Sequence, residues 1–200
     1  MTNLVSTSRR ATLIAAFLAA AISSAPAFAQ AAPKVKFITT EGDFVVEVYP
    51  DKAPKTVANF LQYVKDKHYD GLIFHRVISN FMVQGGGFDT SYAQKPTRPP
   101  VVHEGQDALA KGGPRNVEGT LAMARTNDPN SATAQFFVNT ENNSFLDYSP
   151  GNPGYAVFGK VAAGTEIVDK IAKVRTGNSG MHEDVPVEQI VIKSAKVVTK

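Results

Sequence analysis

Short segments in which apolar and polar residues alternate occur along almost the whole chain, and this pattern constrains the fold more than any other feature. The first two, KVKFITT and GDFVVEVYP, are joined by Glu41 and Gly42, which is typical of a hairpin turn. The later segments with strand composition are LIFHRVI, FMVQGG, GTLAMAR, AQFFVNT, YAVFGKVAAG and VEQIVIKSAKVV. Strands distributed in this way indicate a mainly β fold, either a closed antiparallel barrel or a sandwich.

Two segments have the spacing of an amphipathic helix. Between about residues 54 and 66 the apolar side chains fall on one face, Pro54 suits the first turn and Gly71 lies beyond the end. The segment TEIVDKIAKV is predicted to be a second helix, capped by Thr165. Residues 88–118 are rich in proline, glycine and polar residues without a sustained period, so we expect an irregular stretch that is functional or packed over the surface.

The first 29 residues have the pattern of a signal peptide. Arg9 and Arg10 precede the apolar run ATLIAAFLAAAI, which is too short to span a bilayer. Ala27 and Ala29 then supply the small residues of an A-x-A cleavage site. We therefore predict a signal peptide over residues 1–29 and an exported protein that is periplasmic or secreted. SRRATLI is also a loose twin-arginine pattern, which leaves the export route open.

Cleavage between Ala29 and Gln30 would leave residues 30–200 as one domain, expected to be a monomer. Its formal net charge falls from +3 to +1 because the arginine pair is lost, so charge gives no reason to expect a nucleic-acid partner. No second stretch is apolar enough to anchor the mature chain in a membrane. The absence of cysteine excludes disulfides, a thiol nucleophile and a cysteine-bearing zinc site.

Most of the usual catalytic groups have weak support in this sequence. No G-x-S-x-G context surrounds a serine, and the GGG run matches neither phosphate-binding glycine pattern. Glu104, Asp107 and Glu118 could pair as acid and base for glycan hydrolysis, but loop carboxylates are usually solvated charges. The histidines lie too far apart in sequence to suggest a metal site: His68, His75, His103 and His182. No metal or other cofactor is expected.

The segment FHRVISNFMVQGGG places an arginine among apolar residues. If LIFHRVI is a regular strand, alternation puts Arg76 on the same face as Phe74 and Ile78, and His75 on the opposite face. An arginine often lays its stem along an apolar surface with its head in water, so this arrangement alone does not decide between a structural and a functional role.

FHRVISNFMVQGGG resembles the signature segment of the cyclophilins. GTLAMARTNDPNSATAQFFVNT and FLDYSPGNPGYAVFGKV match the two downstream site segments of that family in the right order, and EGDFVVEVYPDKAPKTVANFLQYV is similar to its beginning. The resemblance covers nearly all of the predicted mature chain. It implies peptidyl-prolyl cis/trans isomerase activity, without a cofactor, on a closed eight-stranded antiparallel barrel capped by two helices. The partners it implies are proline-containing peptides and unfolded or folding secreted proteins.

The resemblance also assigns residues to a site, with Arg76 as the catalytic arginine. Four apolar positions resemble the floor and walls of a proline pocket: Phe81, Met82, Phe137 and Leu146. The polar positions are Gln84 and Gln135, and the strand that binds the substrate backbone is matched by Ala124, Arg125 and Thr126. A rival hypothesis is a proline-peptide-binding chaperone module without significant catalysis, but the presence of both arginine and pocket favours the enzyme.

Two site positions depart from the pattern common in eukaryotic members. Phe145 stands where many carry tryptophan, and Tyr155 where they carry histidine. Together with the signal peptide, these two residues resemble the secreted bacterial branch. Arg125 stands where asparagine is common elsewhere, which changes the charge at the rim of the site. Because the tryptophan takes part in cyclosporin binding across the family, we expect cyclosporin to bind this chain weakly.

Overall fold

In a computed structural model of the protein, residues 32–198 are described, together with Thr2. Apart from Thr2, the predicted signal peptide and its cleavage site lie outside the described residues. The helices of the described part are α1 (Pro54–Lys65), α2 (Gly105–Ala110) and α3 (Thr165–Ala172). Its strands are β1 (Lys34–Thr39), β2 (Asp43–Val48), β3 (Leu72–Ile78), β4 (Met82–Asp89), β5 (Thr120–Met123), β6 (Phe136–Asn139), β7 (Val157–Ala163), β8 (Thr176–Ser179), β9 (His182–Pro186) and β10 (Ile192–Val198).

Eight of these strands form one antiparallel sheet in the order β10-β1-β2-β7-β5-β6-β4-β3. The predicted mainly β class is confirmed, but the sheet is curled and open, so the prediction of a closed barrel needs correction. The two end strands approach each other through one bridge, Ile73 to Val191, and the Phe74 amide donates to the Ile190 carbonyl at 3.0 Å. The end strands do not form a continuous ladder, because only this one pair is in bridging register.

The inner face of the curled sheet holds an aromatic core. On β1 and β2 buried and less buried residues alternate as the sequence pattern predicts. The Phe37 and Phe44 rings stack at 5.0 Å, and Phe136 packs against Phe37 at 5.5 Å. Helix α1, close to its predicted bounds, adds Phe60 to the same cluster. This core fixes the sheet whose outer surface carries the site.

The N-terminus of α1 is capped from a distant part of the chain. Ala53 offers no side-chain cap, and Pro54 has no amide hydrogen to satisfy. The buried Glu104 carboxylate accepts hydrogen bonds from the amides of Lys55 and Thr56 at 3.1 and 2.8 Å, and from the Thr56 hydroxyl at 2.7 Å. A negative charge is favourable at this end of the helix dipole. Glu104 is therefore a structural cap, and the view of it as a solvated loop carboxylate is wrong.

The structure adds elements that the sequence pattern did not predict. Helix α2 lies within residues 88–118, and β8 and β9 form a separate two-stranded hairpin. Helix α3 begins at Thr165 as predicted, but its cap residue is Gly164, with φ of +77°, and Thr165 makes no capping bond. A Cβ atom at Gly164 would lie 2.5 Å from the Asp43 carbonyl oxygen, so this tight junction requires glycine.

Candidate active site

A β-bulge in β3 sets the direction of Arg76. Phe74 is opposite Gly85 on β4, whereas Arg76 is opposite Gln84, so His75 is an extra residue on its strand. The bulge lets the Phe74 ring enter the inner core while Arg76 emerges on the outer surface. The prediction that Phe74 and Arg76 share a face is therefore wrong, because a regular strand was assumed.

The same bulge changes the expected relation between His75 and Arg76. Both residues border one groove beside the β8–β9 hairpin, so the prediction that they point to opposite faces is also wrong. The His75 ring is buried and meets Phe88 edge-on at 4.8 Å. The pKa of His75 is lowered from 6.5 to about 4, mainly by burial and secondly by the nearby His182. The imidazole is therefore neutral at physiological pH.

Arg76 lies on one side of a cavity of about 290 Å³ with apolar walls. The walls come from separate elements: Met82 from β4, Phe137 from β6 and Leu146 from a short 3-10 turn. These three side chains are buried and form a second apolar cluster, apart from the inner core. The cavity is just below the range of roughly 300–1,000 Å³ that is usual for drug-sized ligands, so it suits a single side chain or ring.

Polar groups with fixed partners surround the apolar walls. Gln84 donates through Nε2 to Gln135 Oε1 at 2.9 Å, which leaves the side-chain oxygen Oε1 of Gln84 as an acceptor. Arg125 donates to the Gly154 carbonyl at 2.8 and 3.1 Å, and its guanidinium lies 4.6 Å from the centre of the Tyr155 ring. Such a cation–π contact holds the second arginine at the rim.

Most of the predicted site residues line this cavity: Arg76, Phe81, Met82, Gln84, Ala124, Arg125, Phe137, Leu146 and Tyr155. Three lie outside its lining. Gln135 supports Gln84 from behind, and Thr126 is hydrogen-bonded to Ser131 through its amide and hydroxyl. Phe145 is 65% exposed and stacks on Phe81 with ring centres 5.7 Å apart, which extends the aromatic surface beyond the cavity.

A buried polar network below the cavity was missed by the sequence analysis. Asn143 donates to the Phe81 carbonyl at 2.8 Å, and Asn116 donates to the Leu146 carbonyl at 3.2 Å. Asp147 accepts from the Asn116 amide at 2.8 Å. These bonds fix the backbone of two wall residues. Asparagine and aspartate are usually exposed, so their residue types gave no signal of this role.

The described residues give no sign of a metal site or a membrane span. Within residues 32–198 no group of three histidine, aspartate or glutamate side chains is placed to hold a metal ion. In the same range no helix has the length and apolar character needed to cross a bilayer.

Known proteins are similar to this chain in sequence and in architecture. Residues 34–197 match the family model described as cyclophilin type peptidyl-prolyl cis-trans isomerase/CLD. The chain is 53% identical to peptidyl-prolyl cis-trans isomerase cyp18 of Streptomyces antibioticus, over 82% of this chain and 98% of the relative. It is 50% identical to peptidyl-prolyl cis-trans isomerase B of Escherichia coli K12, with the same coverage of 82% and 98%.

Solved structures agree with the sequence comparison. A cyclophilin-type isomerase from Cryptosporidium parvum superposes with a TM-score of 0.66 over 84% of this chain and 99% of its own, at 24% identity, which speaks for the fold alone. The cyclophilin AquaCyp293 from Hirschia baltica gives a TM-score of 0.64 at 27% identity, over 81% of this chain and 72% of its own. Since the family match spans the whole curled sheet and the residues around its outer cavity, the chain belongs to the cyclophilin-type peptidyl-prolyl cis-trans isomerases.

Proposed function

We propose that the chain isomerises X-Pro bonds by holding the proline ring in the apolar cavity while Arg76 hydrogen-bonds the twisted prolyl amide. The observation that carries this proposal is the position of the Arg76 guanidinium beside a ring-sized apolar slot, while the Arg125 guanidinium is bonded to the Gly154 carbonyl. Its substrates are proline-containing peptides and folding chains, in which slow X-Pro isomerisation limits the rate. A solved cyclophilin from Cryptosporidium parvum in the presence of the dipeptide Ala-Pro supports this substrate class.

The chemistry asks for a donor aimed at the prolyl nitrogen and for no covalent step. Rotation about the X-Pro bond has a barrier of roughly 18–20 kcal/mol because the C–N bond loses its double-bond character at the twisted transition state. The nitrogen then becomes pyramidal and gains a lone pair. A guanidinium that donates to this lone pair stabilises the transition state more than the planar ground state, which is the condition for catalysis.

The surroundings of Arg76 suit this task. Guanidinium is weakly hydrated and keeps its proton beside apolar walls, where a lysine can lose its own. Met82, Phe137 and Leu146 give the slot apolar walls, so a proline ring that fills it displaces water and strengthens each hydrogen bond made there. The side-chain oxygen Oε1 of Gln84 can accept a hydrogen bond from the substrate backbone.

A protease-coupled assay on a short uncharged X-Pro peptide tests the proposal against the rival chaperone module. The proposal expects cis-to-trans conversion to accelerate in proportion to enzyme concentration. The rival expects suppression of aggregation of an unfolded client with no acceleration on the peptide. Binding without turnover would overturn the proposed function.

Catalysis and stability should respond differently to acid. We expect kcat/KM on the uncharged peptide to stay nearly constant between pH 5.5 and 8, because the reaction needs no proton transfer and His75 stays neutral. Stability should fall instead. The unfolded chain binds a proton at His75 below about pH 6.5 and the folded chain does so only near pH 4, which costs about 2 kcal/mol of unfolding free energy by pH 5.

Urea unfolding at half-unit steps from pH 7 to 5 measures this loss. In His75→Gln the loss of unfolding free energy between pH 7 and 5 should be smaller by about 2 kcal/mol, since glutamine does not titrate. An unchanged loss in this variant would show that another group causes the acid sensitivity. If kcat/KM instead fell tenfold as the pH is lowered from 8 to 5.5, and if His75→Gln abolished this fall, a titrating histidine would belong in the mechanism.

Weak inhibition by cyclosporin is expected from the exposed aromatic wall. Phe145 keeps the apolar surface of tryptophan but lacks the indole N–H donor. A hydrogen bond contributes about 1 kcal/mol, so Phe145→Trp should lower the inhibition constant by about fivefold. Inhibition titrations of both forms measure this change. Equal inhibition constants would mean that the missing indole donor is not the cause.

We also propose that the chain works outside the cytoplasm, in the periplasm or after secretion. The support is the arginine pair, the short apolar run and the A-x-A site in residues 1–29. Mass spectrometry of the exported chain should find Gln30 at its N-terminus. Recovery of the full-length chain from the cytosol alone would contradict this proposal.

A further inference from the structure

A carboxylate from the unpredicted β8–β9 hairpin faces the guanidinium of Arg76. Asp184 on β9 places Oδ2 at 3.6 Å from Arg76 Nε, and both side chains are about two-fifths exposed. We propose that Asp184 is a positioning residue that orients Arg76 toward the bound prolyl amide. This inference rests on the catalytic role proposed for Arg76.

The hairpin that carries Asp184 is held firmly against the sheet. On one side of Asp184, the His182 ring packs edge-on against Phe88 at 4.9 Å and stacks on Tyr92 at 5.3 Å. On the other side, Val185 is buried. Contacts on both sides fix the backbone that carries the carboxylate, so Asp184 can define a direction for a long and flexible arginine side chain.

The contact uses the part of the guanidinium that catalysis does not need. Asp184 lies nearest Nε, so the two terminal amino groups of Arg76 remain free to donate into the cavity. Gln84, the polar neighbour of Arg76 across the strand pair, gives its own amide donor to Gln135. Within the described residues, the carboxylate that pairs with Arg76 is that of Asp184.

The backbone at Asp184 makes the inference easy to test. Its φ is +57°, in the left-handed region that asparagine, aspartate and glycine tolerate best. Asp184→Asn and Asp184→Gly therefore remove the charge without a backbone penalty, and the glycine variant relieves strain. A severalfold loss of rate in both variants with only a small change in melting temperature would separate positioning from a structural role.

We expect Asp184→Asn and Asp184→Gly to lower kcat/KM on an uncharged X-Pro peptide about three- to fivefold, the size expected for a partly exposed ion pair. The loss should fall on kcat more than on KM, since the apolar walls that bind the ring are unchanged. Thermal unfolding should show the melting temperature lowered by no more than about 2–4 °C, because a partly exposed ion pair contributes little to stability. Added salt should lower the wild-type rate toward that of the variants and leave the variants unaffected.

Glu183→Gln is the matched control, because it removes the same charge from the adjacent residue, and it should keep the wild-type rate. An equal loss in this control, or a rate in Asp184→Asn within 1.5-fold of wild type or above it, would overturn the positioning role. Asp184→Asn combined with Arg76→Ala should be no slower than Arg76→Ala alone. An active Arg76→Ala enzyme would instead overturn the proposed function, so the two failures are distinguishable.

Discussion

Replacing Arg76 with alanine is expected to lower kcat/KM by a factor of about 100 to 1,000, which is the effect of removing one preorganised donor from a transition state. The loss should appear in kcat, because the donor acts on the pyramidal nitrogen and not on the planar ground state. The fold should remain intact. The Arg76 side chain is 43% exposed and lies outside the inner core, so its removal opens no cavity there.

Protease-coupled kinetics with thermal unfolding of the same samples measures both expectations. Arg98→Ala is a matched control, since Arg98 is 49% exposed, is ion-paired to Asp66 and carries the same charge. Its activity should stay within about twofold of wild type. If Arg76→Ala kept more than a third of the wild-type rate, the assigned mechanism would be wrong.

Alternation along single strands was sufficient to predict the mainly β class and most strands of the sheet. It works on β1 and β2 because one face of each strand is buried in the core and the other is not. It fails at Arg76, because the β-bulge arises from the pairing of β3 with β4, and the register of that pairing cannot be predicted from the sequence of β3 alone. The family resemblance nevertheless assigned Arg76 to the cavity it lines.

The missed features have in common that their residue types are usually exposed. Glu104 is buried because α1, far away in sequence, needs acceptors at its N-terminus. The β8–β9 hairpin is polar and short, so its pattern differs little from that of a loop. The asparagines below the cavity are satisfied by carbonyls of distant loops. None of these relations exists before the chain is folded.

The largest expected effect on stability comes from Asp147, which joins the buried network to the cavity wall. Its carboxylate is 5% exposed and accepts hydrogen bonds from Arg115 at 3.1 Å and from the amide and side chain of Asn116 at 2.8 and 3.0 Å. Asp147→Ala leaves the buried backbone amide of Asn116 without its acceptor and removes the shortest hydrogen bond of the Asn116 side-chain amide. We expect a loss of about 3 kcal/mol in unfolding free energy, or about 6–12 °C in melting temperature.

Asp147→Ala should also lose activity, and this loss should appear mainly in KM. Asn116 also holds the carbonyls of Leu146 and Tyr155, so loss of its anchor loosens one wall of the slot and should raise KM more than it lowers kcat.

Asp147→Asn keeps an acceptor oxygen without the charge and should lose about half as much stability. Asp107→Ala, an exposed carboxylate on α2, should stay within about 0.5 kcal/mol of wild type. Urea unfolding and peptide kinetics on the three variants measure these differences. An Asp147→Ala protein as stable as Asp107→Ala would show that the network does not anchor the wall, because an unpaired buried amide has to cost free energy.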